Sequence, residues 1–408
     1  MLVNKLEASH TEFLLREAQS LLNFAQGSAI DTGGFGYLDS EGKVDLSKPL
    51  ECYVQARMIQ VFGVGHKMGL ASSEKLLEHG LNSLAGYFLD KENGGFYKST
   101  EIKGYPVNKR KNAYDHMFVL LAASTAVDLG IKGADQLFSH VDSVINQHFW
   151  DPEFKMMSNE WSEDFSEQDT YRGINANMHA VEALLAAFDV TSQTIFRDRA
   201  FEISQRAINQ FARDFQWMLP EHFDSKWNVR KEFNSDNKAD PFRPYGVTIG
   251  HLFEWSRLIL QLSKVMSATE TDCLWILDSA KSLYEIARNF GWAADGSPGF
   301  VYTIDWQKKP VVKSRMHWVA SEAVMTAFTL WDVTGEKDYL DDYYNWWSYI
   351  QANVIDKKFG SWHHELDSSQ KVTSKTWSGK PDVYHAFSAC IFPILPLGAS
   401  LIGAAKKL

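Results

Sequence analysis

Little in this chain is suited to cross-linking or to leaving the cell. Only three cysteines occur in 408 residues, Cys52, Cys273 and Cys390. They stand far apart and form no Cys-x-x-Cys, which excludes a disulfide framework and a zinc knuckle. Basic clusters are missing: 41 Lys and Arg against 51 Asp and Glu leave a net charge of −10, so no nucleic-acid footprint is expected. Glu7, Glu12, Arg16 and Glu17 fall where a secretory leader needs an apolar core. The longest apolar run, Ala389–Ala405, has 17 residues and contains Pro393 and Pro396. It predicts a buried C-terminal helix and no membrane anchor. A soluble, cytoplasmic protein with reduced thiols is expected.

Several chemical signatures are absent too. Gly36 to Lys43 is one residue too long for a phosphate loop, and Val44 stands where Ser or Thr must hold magnesium. Gly63-Val64-Gly65 lies inside a helical pattern, so it is no dinucleotide turn. Without His-Glu-x-x-His or Gly-x-Ser-x-Gly, neither a metal site nor a serine nucleophile is expected, and no cofactor is called for. His363 and His364 are adjacent and point to opposite faces of an extended segment.

What is present is apolar bulk, 45% of residues, with 14 Trp among many aromatics. The length alone would allow two or three domains, but no Pro/Ser-rich linker or charge block divides the chain, and residues 1–408 read as one unit. Six Gly- and aromatic-rich segments recur: Gly33–Tyr37, Gly94–Tyr97, Phe154–Trp161, Leu219–Trp227, Gly299–Tyr302 and Gly360–Trp362. Each predicts a short hairpin. Between them lie helices of two kinds. One is apolar nearly all round, as in Ile174–Phe188, and the other is amphipathic, as in Thr191–Arg213. An all-apolar helix must be covered on every side, and an amphipathic one can cover it. Six such pairs predict an all-α (α/α)6 barrel, six helices inside six, with hairpin loops at the mouth.

In that topology the first turns of all six inner helices open on one face, where their dipoles favour an oxygen-rich ligand. Those turns carry Tyr53 and Arg57; Tyr114, Asp115 and His116; Asn175 and His179; His251 and Glu254; Trp318 and Glu322; and His385. Polar groups on apolar helices are costly to bury without partners, so their recurrence at one end predicts a site. His251 and Glu254 share a helix face as a base and its orienter, or as an ordinary surface pair. Asp382 can cap the last helix. Arg57 needs an oxygen-rich partner, either substrate hydroxyls or Glu254 and Glu322. Trp161, Trp227, Trp306, Trp362 and Trp377 are expected around the mouth, where aromatic faces suit the C–H faces of sugars.

At this point the motifs QARMIQVF (55–62), GINANMHAVEALL (173–185), GVTIGHLFEWSRL (246–258), HWVASEA (317–323), GSWHHELD (360–367) and KTWSGKPDVYHAF (375–387) resemble the N-acylglucosamine 2-epimerase superfamily. The likeness is greatest to its aldose–ketose isomerase branch, whose members isomerise mannose or sulfoquinovose, and it covers nearly the whole chain. It implies an (α/α)6 barrel and interconversion of D-mannose and D-fructose, with D-lyxose and D-xylulose secondary, without cofactor or metal. It also implies His251 and His385 as the acid/base pair. Arg57, Tyr114, Asn175, His179, Glu254, Trp318 and Glu322 match sugar-site positions, and Trp377 lies on a covering loop. Pro241, His364 and Pro381 stand where sulfonate-reading Arg and Gln are expected, Arg243 being the nearest substitute; an unsulfonated monosaccharide is favoured. The rivals are a 2-epimerase in the same barrel, an (α/α)6 glycoside hydrolase using Glu254 and Glu322, and a non-catalytic sugar-binding barrel. Monomer and homodimer both remain open.

Overall fold

The computed structural model describes residues 5–70, 74–266 and 273–406. Apolar periodicity sorts its twelve main helices into two concentric rings. The inner ring consists of α2 (Cys52–Lys67), α4 (Ala113–Asp128), α6 (Ile174–Thr191), α8 (Ile249–Ser263), α10 (His317–Thr334) and α12 (Tyr384–Ile391). Each packs on the next, and α12 returns to α2 and closes the ring. In α2 every residue from Cys52 to Gly65 is buried, as covering on all sides requires. The outer ring consists of α1 (Ala8–Gln26), α3 (Glu74–Ser83), α5 (Ala134–Val144), α7 (Thr194–Ser204), α9 (Trp275–Gly291) and α11 (Lys337–Tyr349). These bury one stripe each, as α9 does through Ile276, Ala280, Leu283, Tyr284 and Ala287. The result is the (α/α)6 barrel that the repeat predicts.

The hairpins hold the mouth together. A two-residue strand precedes five of the inner helices and pairs antiparallel with the next hairpin: 50–51 with 99–100, 111–112 with 160–161, 172–173 with 222–223, 247–248 with 303–304, and 315–316 with 365–366. At the tips, Asp90, Asp151 and Asp356 each accept the backbone N–H groups two and three residues on, an Asx turn repeated by sequence. A second device repeats as well. Gln55, His116 and Asn177 each accept a backbone N–H from the residue 20 positions earlier, Phe35, Phe96 and Met157, at 2.6, 3.1 and 2.7 Å. One polar side chain on each of α2, α4 and α6 thus clamps the preceding hairpin to the barrel. His116 is therefore a clamp and not part of the site: the Asn112 carbonyl takes its Nδ1–H at 2.7 Å, and burial holds its pKa at about 3.

Two expected elements differ. The Thr191–Arg213 helix divides, because α6 runs on to Thr191, Ser192 turns left-handed at φ 57°, and α7 begins at Thr194. Its end widens into a π-helical stretch, Gln205–Ala212, and α3, α5 and α11 also finish in π turns. The C-terminal apolar run is not one helix. Pro393 cannot donate to the ladder, so α12 gives way to a 3-10 turn (Phe392–Ile394), and a separate short helix follows at Leu401–Ala404. No described helix is long and apolar enough to cross a membrane.

Candidate active site

The six inner-helix N-termini enclose a cavity of about 690 Å³, its open mouth included. Tyr53 and Arg57 come from α2, Tyr114 from α4, Asn175 and His179 from α6, His251 and Glu254 from α8, His317 and Trp318 from α10, and His385 from α12. Loops add Pro241, Phe242, Tyr302, His364, Trp377, Pro381 and Asp382. Of the inner-helix residues singled out in the sequence for the site, all but Asp115, His116 and Glu322 line this space; Glu322 lies behind His385. Phe242 packs edge-on against Trp377, 5.1 Å between centroids, and against Tyr53 and Tyr114, forming a roof from two loops.

Two of the cavity's imidazoles pack against one indole. The Trp318 ring lies 5.3 Å from His251 and 5.7 Å from His385. Each histidine has its Nδ1 held by a buried carboxylate, at 2.8 Å from Glu221 for His251 and 3.1 Å from Glu322 for His385. A carboxylate on Nδ1 fixes the proton there and leaves Nε2 as the basic nitrogen. Burial, then Arg57 and His317, depress His385 well below the ordinary histidine range, so it is neutral. The orienter of His251 is therefore Glu221, not Glu254. Glu254 shares the helix face, but its Oε1 has no hydrogen-bond partner among the described residues.

Arg57 also has a different counterion. Its guanidinium bonds Asp382 at 3.2 Å and the Tyr114 hydroxyl at 2.8 Å, beneath the rings of Phe118 and Tyr384. Glu322 is taken by Arg257, which binds it at 2.9 Å. Asp382 additionally accepts the Tyr384 N–H at 3.0 Å, so it does meet the start of α12. Burial pushes Asp382 up, but Arg57 and His385 outweigh it and hold the group below the carboxylate range.

Below the cavity, Glu182 bonds His179 at 3.1 Å and accepts from the Tyr384 hydroxyl. Burial raises Glu182, yet His179, Arg257 and Tyr384 bring it down to about 2. Glu254 goes the other way, pushed well up by burial and then by Glu322. Glu254 and Glu322 do not flank the cavity as an opposed pair, which removes the geometry a glycoside hydrolase needs. Ligand atoms of His179, Glu182 and Glu254 lie within 4.8 Å of one another. His179 Nδ1 is already committed to Glu182, and the Arg257 guanidinium sits 3.8 Å from Glu254. A divalent ion there would meet that cation, so the donor set does not fit one.

Among the hairpin tryptophans proposed for the mouth, only Trp377 lines the cavity. Trp161 and Trp306 spend their N–H groups on the His148 and Lys231 carbonyls, Trp362 bonds Glu17 at 2.9 Å, and Trp227 stacks on Phe211. Trp161, Trp227 and Trp362 anchor hairpins to outer helices or the turns that end them, and Trp306 joins its hairpin to the loop at Lys231. Asp115 is structural as well, accepting the Tyr53 N–H at 3.0 Å. Arg243 lies over Tyr171, 4.1 Å away, in the adjoining space. Sequence reasoning missed Glu221 and His317 as members of the site and Arg257 beneath it. Arg257 alone had a signal, a cation inside an apolar helix three residues after Glu254.

Arg57 Nε, Asn175 Oδ1, Glu254 Oε1, His317 Nε2 and Trp377 Nε1 are all buried on this cavity without a hydrogen-bond partner among the described residues. Buried polar atoms seldom stay unpaired, so donors and acceptors together define a site for a ligand dense in hydroxyls. Fold and site together define an (α/α)6-barrel enzyme of the isomerase class. Residues 33–389 match the model of the N-acylglucosamine 2-epimerase (GlcNAc 2-epimerase) family. A D-mannose isomerase of Thermobifida fusca is 40% identical over 398 residues, covering 97% of both chains. A second, from Pseudomonas cannabina pv. alisalensis, is 41% identical over 97% of this chain and 95% of its own. The crystal structure of a D-mannose isomerase superposes with a TM-score of 0.86 at 26% identity, over 95% of this chain and 98% of that one. The chain belongs to the N-acylglucosamine 2-epimerase family.

Proposed function

We propose that this chain interconverts D-mannose and D-fructose, and secondarily D-lyxose and D-xylulose, through a cis-enediol. The observation that carries this is the pair of imidazoles packed against Trp318, each held at Nδ1 by a buried carboxylate. The two relatives at about 40% identity, named for mannose isomerisation, support the choice of sugar. His251, oriented by Glu221, exchanges the proton between the ring oxygen and the anomeric hydroxyl and opens the ring. His385 Nε2 takes the proton from C2, and electrons shift to the carbonyl oxygen at C1 to give the cis-enediolate. Return of that proton from His385 to C1, with the O2 hydroxyl proton passing to O1, gives the ketose. Arg57 lines the same cavity as His385 and stabilises the enediolate. A neutral imidazole base of this kind typically contributes about 10²–10⁴-fold. In this proposal residues 1–408 act as one catalytic unit on a free monosaccharide in the cytoplasm, as a monomer or homodimer.

The test is incubation with mannose, lyxose, glucose, N-acetylmannosamine, cellobiose and sulfoquinovose, with products resolved by chromatography. Fructose from mannose and xylulose from lyxose are expected. An aldose epimer in place of a ketose makes the enzyme a 2-epimerase. In heavy water the fructose should gain deuterium at C1; its absence under every condition counts against the enediol.

A further inference from the structure

His317 is a polar residue of the cavity that the proton-transfer scheme does not use. It is only 6% exposed and lines the cavity at the start of α10. Its ring stacks on His364, 3.9 Å between centroids and 23° between planes. The His364 carbonyl accepts its backbone N–H at 3.1 Å and faces its Nδ1 at 3.4 Å. A carbonyl has no proton to give, so Nδ1 is the protonated nitrogen and Nε2 is left as an acceptor. That Nε2 has no partner among the described residues. Burial and then Arg57 oppose protonation and outweigh Asp382, holding the group at about 4, so the acceptor state persists at neutral pH. His364 is itself buried on the cavity, and burial and then His317 hold it well below the ordinary histidine range.

We propose that His317 is a substrate-binding residue: its Nε2 accepts a hydrogen bond from one sugar hydroxyl, and the stacked His364 ring holds it in that orientation. This rests on the sugar-isomerase reading above. The His317 ring lies 6.4 Å from that of His385. The hydroxyl in question therefore lies on the His385 side of the cavity. A lone pair at this point accepts from a hydroxyl and repels the oxygens of a phosphoryl or sulfonyl group, so the pair selects an uncharged sugar at that position.

The experiment compares wild type with His317→Phe, which keeps a ring to stack and deletes the acceptor, and with His317→Gln, which offers a carbonyl oxygen. Each is assayed for kcat/KM and for calorimetric binding on D-mannose and its 3-, 4- and 6-deoxy analogues. His317→Phe should lose about 10- to 100-fold on mannose, with partial rescue in His317→Gln. One deoxy sugar should be as poor for wild type and suffer no further loss in His317→Phe. An equal loss on mannose and every analogue, or no loss in a folded variant, overturns the assignment. Wild-type turnover of mannose tests the parent function separately, and the binding ratios carry the comparison even where turnover fails.

Discussion

Glu221 reaches His251 from a hairpin, its Oε1 2.8 Å from Nδ1, and so sets the tautomer of one of the two imidazoles packed against Trp318. Glu221→Ala should lower kcat by about 10- to 100-fold with little change in KM, since the proton-transfer geometry suffers before ground-state binding does. Steady-state kinetics on mannose check this. A loss confined to KM would make Glu221 a binding residue instead.

Gly250 precedes His251, and a Cβ there would come within 2.1 Å of the Trp318 ring. The indole against which both histidines pack can lie where it does only because residue 250 has no side chain. Gly250→Ala should displace Trp318, cost about 1–3 kcal/mol through overpacking, and reduce kcat more than stability accounts for. Chemical denaturation together with activity at a temperature where the variant is folded separates the two effects.

His385 is kept neutral first by burial and then by Arg57. A nearby cation disfavours the imidazolium, so the acid limb of kcat/KM should fall below the usual histidine range. Arg57→Gln should move that limb to higher pH and lower the plateau by about 10²-fold, through lost stabilisation of the enediolate. A plateau loss with an unmoved limb would show that the two groups are not coupled.

Acid stability depends on the clamp at His116, whose folded pKa is pushed down from 6.5 to about 3 by burial. Below pH 6.5 the unfolded chain takes a proton that the folded one refuses, so stability present above that pH falls as pH drops toward 3. Gln55 makes the equivalent clamp on α2. His116→Gln should therefore keep most of the stability at pH 7 and flatten the decline between pH 6.5 and 4, measured by urea unfolding at each pH. A slope identical to wild type would rule out His116 as its source.

The architecture was legible because it repeats. Apolar and amphipathic helices alternate between turn-forming hairpins, and burial needs alone dictate which ring each joins. The cavity residues were legible as polar groups at one end of apolar helices. Their partners were not. Helical spacing joined His251 to Glu254, yet side chains three apart lie on one surface without having to touch, and the nearer acceptor came from the hairpin. Arg57 found Asp382, 325 positions away, because α2 and α12 meet where the ring closes. The hairpin tryptophans looked alike in sequence, and only tertiary contact separated Trp377 from the four that pin hairpins down.

By itself, then, the sequence determined the helical repeat, the face on which the polar residues gather and the kind of ligand they suit. All three follow from local periodicity and from the cost of burying polar groups. Only the tertiary structure decided which carboxylate serves which histidine, which cation meets which anion, and that His317 belongs to the site. Those depend on approach between elements distant in the chain, and a pairing at 3 Å is set by how the rings pack, not by spacing along any one helix.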